Sequence, residues 1–224
     1  NKNSDKIILQ GYERVLKARL SDALFFWKTD INKNLDNYLD KLKTMVFYEN
    51  LGSIYDRSLR ISKMCKKLGT LFFINENSKL KALGLYSKLD LCSNLVFEFP
   101  ELQGVMLKFL VRNNDYDTEM QKAFEDQYKP LGLNKEMPLN NLGCILSISN
   151  NVDTLTNFFS IGLQPTGSRD PLGIRRAANS LINVMWNKCD NLSFRNIFYL
   201  VDKNNFKSFD TLKSNLNSFL IERL

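Results

Sequence analysis

Asp170-Pro171-Leu172-Gly173-Ile174-Arg175-Arg176-Ala177-Ala178-Asn179-Ser180-Leu181-Ile182-Asn183-Val184-Met185-Trp186-Asn187 reads as a helix with its own start signal. Asp170 stands as N-cap and Pro171 at the first helical position, where a missing N–H is harmless. Leu172, Ile174, Ala178, Leu181, Ile182, Met185 and Trp186 then recur at helical spacing and predict one inward face.

The same rhythm extends in both directions. Tyr12 to Trp27 predicts a helix with the stripe Val15, Leu16, Leu20, Ala23, Leu24 and Trp27, and Leu35 to Lys43 a shorter one. Ser53 and Asp56 form a variant capping box ahead of Ile54, Leu59, Ile61, Met64 and Leu68, with Gly69 as the stop. Further helices are predicted from Ser78 to Phe97, Pro100 to Arg112, Asp117 to Tyr128 and Asn140 to Ile161, with a Pro- and Gly-bearing loop from Lys129 to Pro138. Ser193 and Ser208 cap two more. No alternating run with hairpin turns interrupts them, so the expected fold is all-α.

The chain has 224 residues, 31 Lys+Arg against 24 Asp+Glu, and a net charge of +7. That favours an anionic partner, although the basic residues are scattered and an ordinary basic surface gives the same count. There is no histidine, which excludes a histidine-based triad and any imidazole metal site. Cys65, Cys92, Cys144 and Cys189 are dispersed among apolar neighbours and read as buried thiols in a reducing, cytoplasmic setting. No apolar run is long enough for a membrane span. The start, Asn1-Lys2-Asn3, lacks Met and suggests a cut from a longer protein, which Met removal or a tag scar would mimic. The apolar stripe after Ser208 reaches Leu224, which suggests truncation there.

Three stretches invite chemistry. Gln164-Pro165-Thr166-Gly167-Ser168-Arg169-Asp170-Pro171 leads into a helix N-terminus, whose free N–H groups and partial positive charge suit phosphate. Thr166 and Ser168 offer hydroxyls, and Arg169, Arg175 and Arg176 offer cationic forks. A plain helix cap with a tight glycine turn, Asp170 itself filling the anion position, explains the same residues. Glu98 and Glu101, flanking Pro100, suggest paired acid and base, but acids beside a Pro-initiated helix are stabilising without catalysis. Phe25-Phe26-Trp27 suits base stacking or, for at least two of the three, a helix seam.

These stretches resemble the β subunit of bacterial glycyl-tRNA synthetases. Arg14 to Ala23 followed by Phe25-Phe26-Trp27 is similar to the start of that family's HD-like domain, and Val46 to Ser53 to the stretch after it. Glu98-Phe99-Pro100-Glu101-Leu102-Gln103-Gly104 matches a family signature. Asp153-Thr154-Leu155 with Phe158, Phe159 and Gly162, then Leu163 to Ala178, resemble two more, in the family's order. Gln164 departs from a usual lysine, Tyr48 and Asn50 from a usual His or Gln and a usual Lys, and Asn150-Asn151 from a usual Asp-Lys pair.

The resemblance implies an HD-domain-like helical bundle over 1–190 with a degenerate, metal-free centre. Asp90 remains where the HD aspartate falls and Leu89 stands for its histidine. Residues 191–224 are then helices leading toward an anticodon-binding region. It implies a tRNA-binding or scaffolding segment of glycine–tRNA ligase, itself inactive and without a cofactor. ATP and magnesium would serve an α subunit that ligates glycine to tRNA(Gly) in an α2β2-type assembly. Arg169, Arg175 and Arg176, with Thr166 and Ser168, would meet tRNA, while Pro165, Gly167, Asp170, Pro171, Glu98, Pro100 and Glu101 would be structural. A purely structural or subunit-interface module is the alternative, and a working metal hydrolase a third.

Overall fold

The computed structural model describes residues 2–112, 116–130, 136–165, 170–189 and 192–223. Among them are eleven α-helices, three short 3-10 turns and no strand, so the protein is all-α. An isolated bridge between Val46 and Ser53 is the one extended pairing among the described residues.

The helix at the centre is α8, Asn141–Ser160, buried on almost every side. Helix α3, Ile54–Leu71, α7, Thr118–Asp126, and α9, Ile174–Lys188, pack around it. The capping box opens α3 as expected: Asp56 N donates to Ser53 Oγ at 3.1 Å and Ser53 N to Asp56 Oδ2 at 2.8 Å. Gly69 does not stop α3. It lies inside the helix, where an added Cβ would run into a δ-methyl of Leu80 on α4, Asn77–Tyr86. One turn pair away, Gly84 sits directly on the Ser62 backbone. The two glycines let α3 and α4 close into a tight antiparallel hairpin.

The helix expected over 78–97 is instead three pieces: α4, a 3-10 turn Leu89–Cys92, and α5, Asn94–Glu98. Ser93 causes the break by capping α5, its Oγ accepting from Val96 N at 3.1 Å. The helix expected from Pro100 is likewise divided into a 3-10 turn and α6, Val105–Leu110, with Gly104 at φ +85° between them.

Helix α1, Lys2–Ile31, is tied down at its C-terminal end. The buried Asp30 carboxylate accepts from Leu95 N at 2.9 Å and Asn94 Nδ2 at 3.0 Å, capping α5 from another helix. Trp27 packs edge-on against Phe109 with ring centroids 4.9 Å apart. Phe26 and Trp27 join the core and Phe25 does not. The predicted stripe upstream is largely exposed: Val15, Leu16, Leu20 and Leu24 face solvent, because no described element packs there. Trp186, expected inside, is exposed near the end of α9.

The hairpin yields a test. Gly84→Ala forces a methyl into the Ser62 backbone and should destabilise the protein by about 3 kcal/mol, the upper range for overpacking. Urea unfolding measures it, and a loss under about 1 kcal/mol would mean that α3 and α4 separate more easily than their packing implies.

Candidate functional site

A group of charged side chains gathers in the interior beside α8. Helix α8 turns Asn150 and Asp153 to the same face, three residues apart. Opposite them α3 presents Arg57 and Arg60. The chain between α4 and the 3-10 turn adds Lys88 and Asp90, and the end of α7 adds Gln127 and Tyr128. Lys88, Asp90, Gln127 and Asp153 are all buried.

Asp153 is the hub. Arg60 Nε donates to its Oδ1 at 2.6 Å, and Arg57 Nε stands 3.2 Å from its Oδ2. Asn157 Nδ2 donates to Oδ1 at 3.0 Å. Arg57 also donates to Thr154 Oγ1 at 2.7 Å and stacks over the Phe47 ring, 4.4 Å from its centroid. One carboxylate therefore neutralises one of two nearly buried guanidinium groups.

Lys88 has no carboxylate within ion-pair distance among the described residues. Its Nζ donates to Gln127 Oε1 at 3.0 Å and Tyr128 Oη at 2.9 Å. Burial first, then the Arg57 charge, push its pKa well below the usual lysine range, against the pull of Asp90 and Asp153. Burial raises Asp90 to about 6, although Gly104 N donates to its Oδ2 at 2.5 Å and the Lys88 charge opposes the rise.

The Glu98–Gly104 stretch closes this cluster. Gln103 Nε2 donates to Tyr128 Oη at 2.6 Å, and the left-handed turn at Gly104 aims its N–H at Asp90. Pro100 and Glu101 are exposed on the bend. Glu98 pairs with Arg19 of α1 at 3.4 Å, and Arg19 lies over the Phe99 ring. Glu98 thus braces the loop and Glu101 does not, while Gln103 and Gly104, adjacent in the same motif, reach the centre.

The structure separates the arginines singled out from sequence. Thr166, Gly167, Ser168 and Arg169 lie outside the described residues; Pro165 precedes them and is half-buried. Helix α9 begins at Ile174, not at Pro171, because Gly173 takes φ +69° as its N-cap. Asp170 still closes the mouth: its Oδ2 accepts from Arg176 N at 3.1 Å and lies 3.7 Å from Arg176 Nε. The protein's own carboxylate thus occupies part of the helix N-terminus. The Arg176 side chain remains 77% exposed, and Arg175 is half-buried.

Arg57, Arg60, Lys88, Gln127 and Tyr128 were not singled out from sequence. The signal for them was weak: Arg57 and Arg60 share a face at i, i+3 within an otherwise apolar helix pattern, and nothing links them in sequence to Asp153. All four cysteines are reduced and buried, and burial lifts the Cys65 thiol to about 12. No group of three Cys, Asp or Glu side chains among the described residues is arranged to hold a metal ion. Asp153, with both oxygens on cations, offers none a ligand.

Two outcomes follow. Asp153→Asn leaves two guanidinium groups without a counter-ion and should cost about 3–5 kcal/mol in urea unfolding; a loss below about 1 kcal/mol would remove Asp153 from the hub. Asp90 binds its proton more tightly folded, near 6, than unfolded, near about 3.9. The folded state therefore holds more protons in that window, and this contribution, complete at lower pH, is lost as pH rises from about 4 to about 6. Asp90→Asn keeps an oxygen for Gly104 N and should abolish that slope. Its stability relative to wild type should rise across the window, and a constant difference would contradict the assignment.

The whole chain, residues 1–224, matches the family described as the glycyl-tRNA synthetase beta subunit. It is 36% identical over 220 residues to the glycine–tRNA ligase beta subunit of Thermodesulfovibrio yellowstonii, covering 98% of this chain and 32% of that protein. For the corresponding subunit of Syntrophomonas wolfei the identity is 38% over 215 residues, covering 95% and 31%. For that of Bacillus subtilis it is 36% over 211 residues, covering 92% and 31%. The chain thus spans about a third of the length of these relatives. Over that third, it belongs to the glycyl-tRNA synthetase beta-subunit family.

Proposed function

We propose that this segment is a non-catalytic, tRNA-contacting scaffold within glycine–tRNA ligase. Residues 1–190 form a degenerate HD-like domain, and 191–224 lead toward an anticodon-binding region. Glycine activation and transfer, with ATP and magnesium, take place in a partner α subunit of an α2β2-type cytoplasmic enzyme. No residue here is assigned to ATP or magnesium.

The observation that carries this reading is the interior ion cluster. Arg57 and Arg60 saturate Asp153, and the Lys88 side chain lies near Asp90. Where a hydrolase of this shape needs free carboxylates and imidazoles for metal, this chain has its own cations and no histidine. A fold can persist as a framework after its chemistry is lost. Arg176, exposed at the start of α9, with Arg175 and Arg169 near it in sequence, supplies phosphate-binding forks on that framework.

The alternative, a subunit-interface module without RNA contact, draws support from α1, whose exposed Leu16, Leu20 and Leu24 form an apolar stripe.

One experiment separates them. In the assembled αβ enzyme, Arg175→Ala/Arg176→Ala should weaken tRNA(Gly) binding. It should also flatten the dependence of log affinity on log salt by about one to two units, about 0.9 for each phosphate no longer neutralised. An unchanged slope, with α-subunit association abolished, would favour the interface module.

A further inference from the structure

We infer that the groove between α3 and the C-terminal helices, α10, Phe194–Leu200, and α11, Phe209–Ile221, binds the phosphodiester backbone of an RNA. The inference rests on the reading of this segment as part of a tRNA-using enzyme, and places the contact on a surface separate from the start of α9.

The groove is built of two joined hollows. One, of about 1040 Å³, lies between α3, the end of α8 and the start of α11; the other, about 290 Å³, continues along α3 beside α10. Arg60, Lys63, Asn157, Asn205 and Phe206 line both, so they form one channel. Arg60, Lys63 and Lys67 follow one another at helical spacings of three and four along a single face of α3, with Lys66 beside them. At about 1.5 Å per residue the run from Arg60 to Lys67 is about 10 Å long. Each strand of a duplex carries one phosphate per about 3.4 Å of helix axis, so the run is long enough to meet more than one phosphate.

The cations divide by task. Lys67 Nζ donates to the carbonyls of Tyr199 at 3.2 Å and Leu200 at 3.1 Å, holding α10 against α3. Arg60 is held by Asp153. Lys63, Lys66 and, across the groove, Lys207 are exposed, and no carboxylate among the described residues pairs with any of them. The two acids in the lining are committed to local caps: Asp56 to Ser53 and Asp202 to Asn204 N. Behind Lys63 the Arg57–Arg60–Asp153 group carries one uncompensated positive charge, which adds to the groove's field rather than cancelling it.

The rest of the lining favours nucleic acid over an acidic protein face. The side-chain amides of Asn50, Asn205 and Asn215 are exposed on the groove without hydrogen-bond partners among the described residues. An amide offers both donor and acceptor, which matches the alternation of phosphate oxygen and ribose hydroxyl along RNA; carboxylates use donors alone.

The test uses the assembled αβ enzyme and tRNA(Gly), with affinity measured across a salt series. Lys63→Gln/Lys66→Gln/Lys207→Gln removes exposed charges only, and a thermal melt checks that folding is kept. The expected result is about a tenfold loss of affinity or more and a salt slope flatter by about two to three units, while the corresponding Lys→Arg variant retains both. Unchanged affinity and slope overturn the proposal. So does weakened binding with an unchanged slope, or loss of α-subunit association with tRNA binding intact, which would assign the groove to an acidic protein surface. If the triple variant fails to fold, Lys66→Gln alone should flatten the slope by about 0.9, and no change there has the same force. Because Arg175→Ala/Arg176→Ala is measured alongside, a silent groove variant beside an affected arginine variant rejects the groove while leaving the RNA-contacting reading intact.

Discussion

Two guanidinium groups share the carboxylate of Asp153 in the interior, and the arrangement of α3 against α8 depends on that pairing. Charges out of water are tolerated only when paired and hydrogen-bonded. With Lys88 and Asp90 close by, the cluster sets three cations against two carboxylates. Asp153 is saturated, so the mismatch falls on Lys88, whose partners are a neutral amide and a phenol. The depressed pKa of the lysine and the raised pKa of Asp90 are two sides of the same constraint, since each burial penalty is relieved by giving up a charge. An acid at position 150 would balance the set; this chain has Asn150, whose Nδ2 instead shares Gln127 Oε1 with the lysine.

That constraint organises the surrounding backbone. Asp90 fixes the turn at Gly104, Tyr128 fixes Gln103, and Arg19 holds Glu98 and Phe99 at the far end of the same loop. Both ends of the 98–104 stretch are thus pinned, by three different elements. Asp30 works in the same manner where α1 meets α5, a buried carboxylate accepting from Leu95 N, Asn94 Nδ2 and Lys33 Nζ. Asp30, Asp90 and Asp153 each spend at least one carboxylate oxygen on a donor of the protein itself.

Helical periodicity carried much of the architecture. The helices around Ser53, Asp117 and Asn140 begin at those caps, because an N-cap and an apolar stripe are both local properties. What periodicity could not supply was interruption and orientation. The 78–97 stretch keeps its helical spacing through Ser93, yet the serine restarts the helix. Gly69 has the composition of a stop and is instead a contact point for Leu80. The stripe on α1 shows that a face is apolar without showing what covers it. The interior cluster was hidden for a related reason: its members come from four separate stretches, and an arginine in an amphipathic helix gives no sign of whether it points in or out.

Helix α3 illustrates how one element can serve both sides of this problem. Arg57 and Arg60 turn inward or edgewise and are held by α8, while Lys63 and Lys66, one turn on, face solvent. The inner pair is held by Asp153, and its unbalanced charge is transmitted through poorly polarisable protein to the outer lysines. An interior that hosted a metal would hold acids around a dication and contribute little net field to that surface. With side-chain cations at its centre, this framework instead adds positive potential to its outer face.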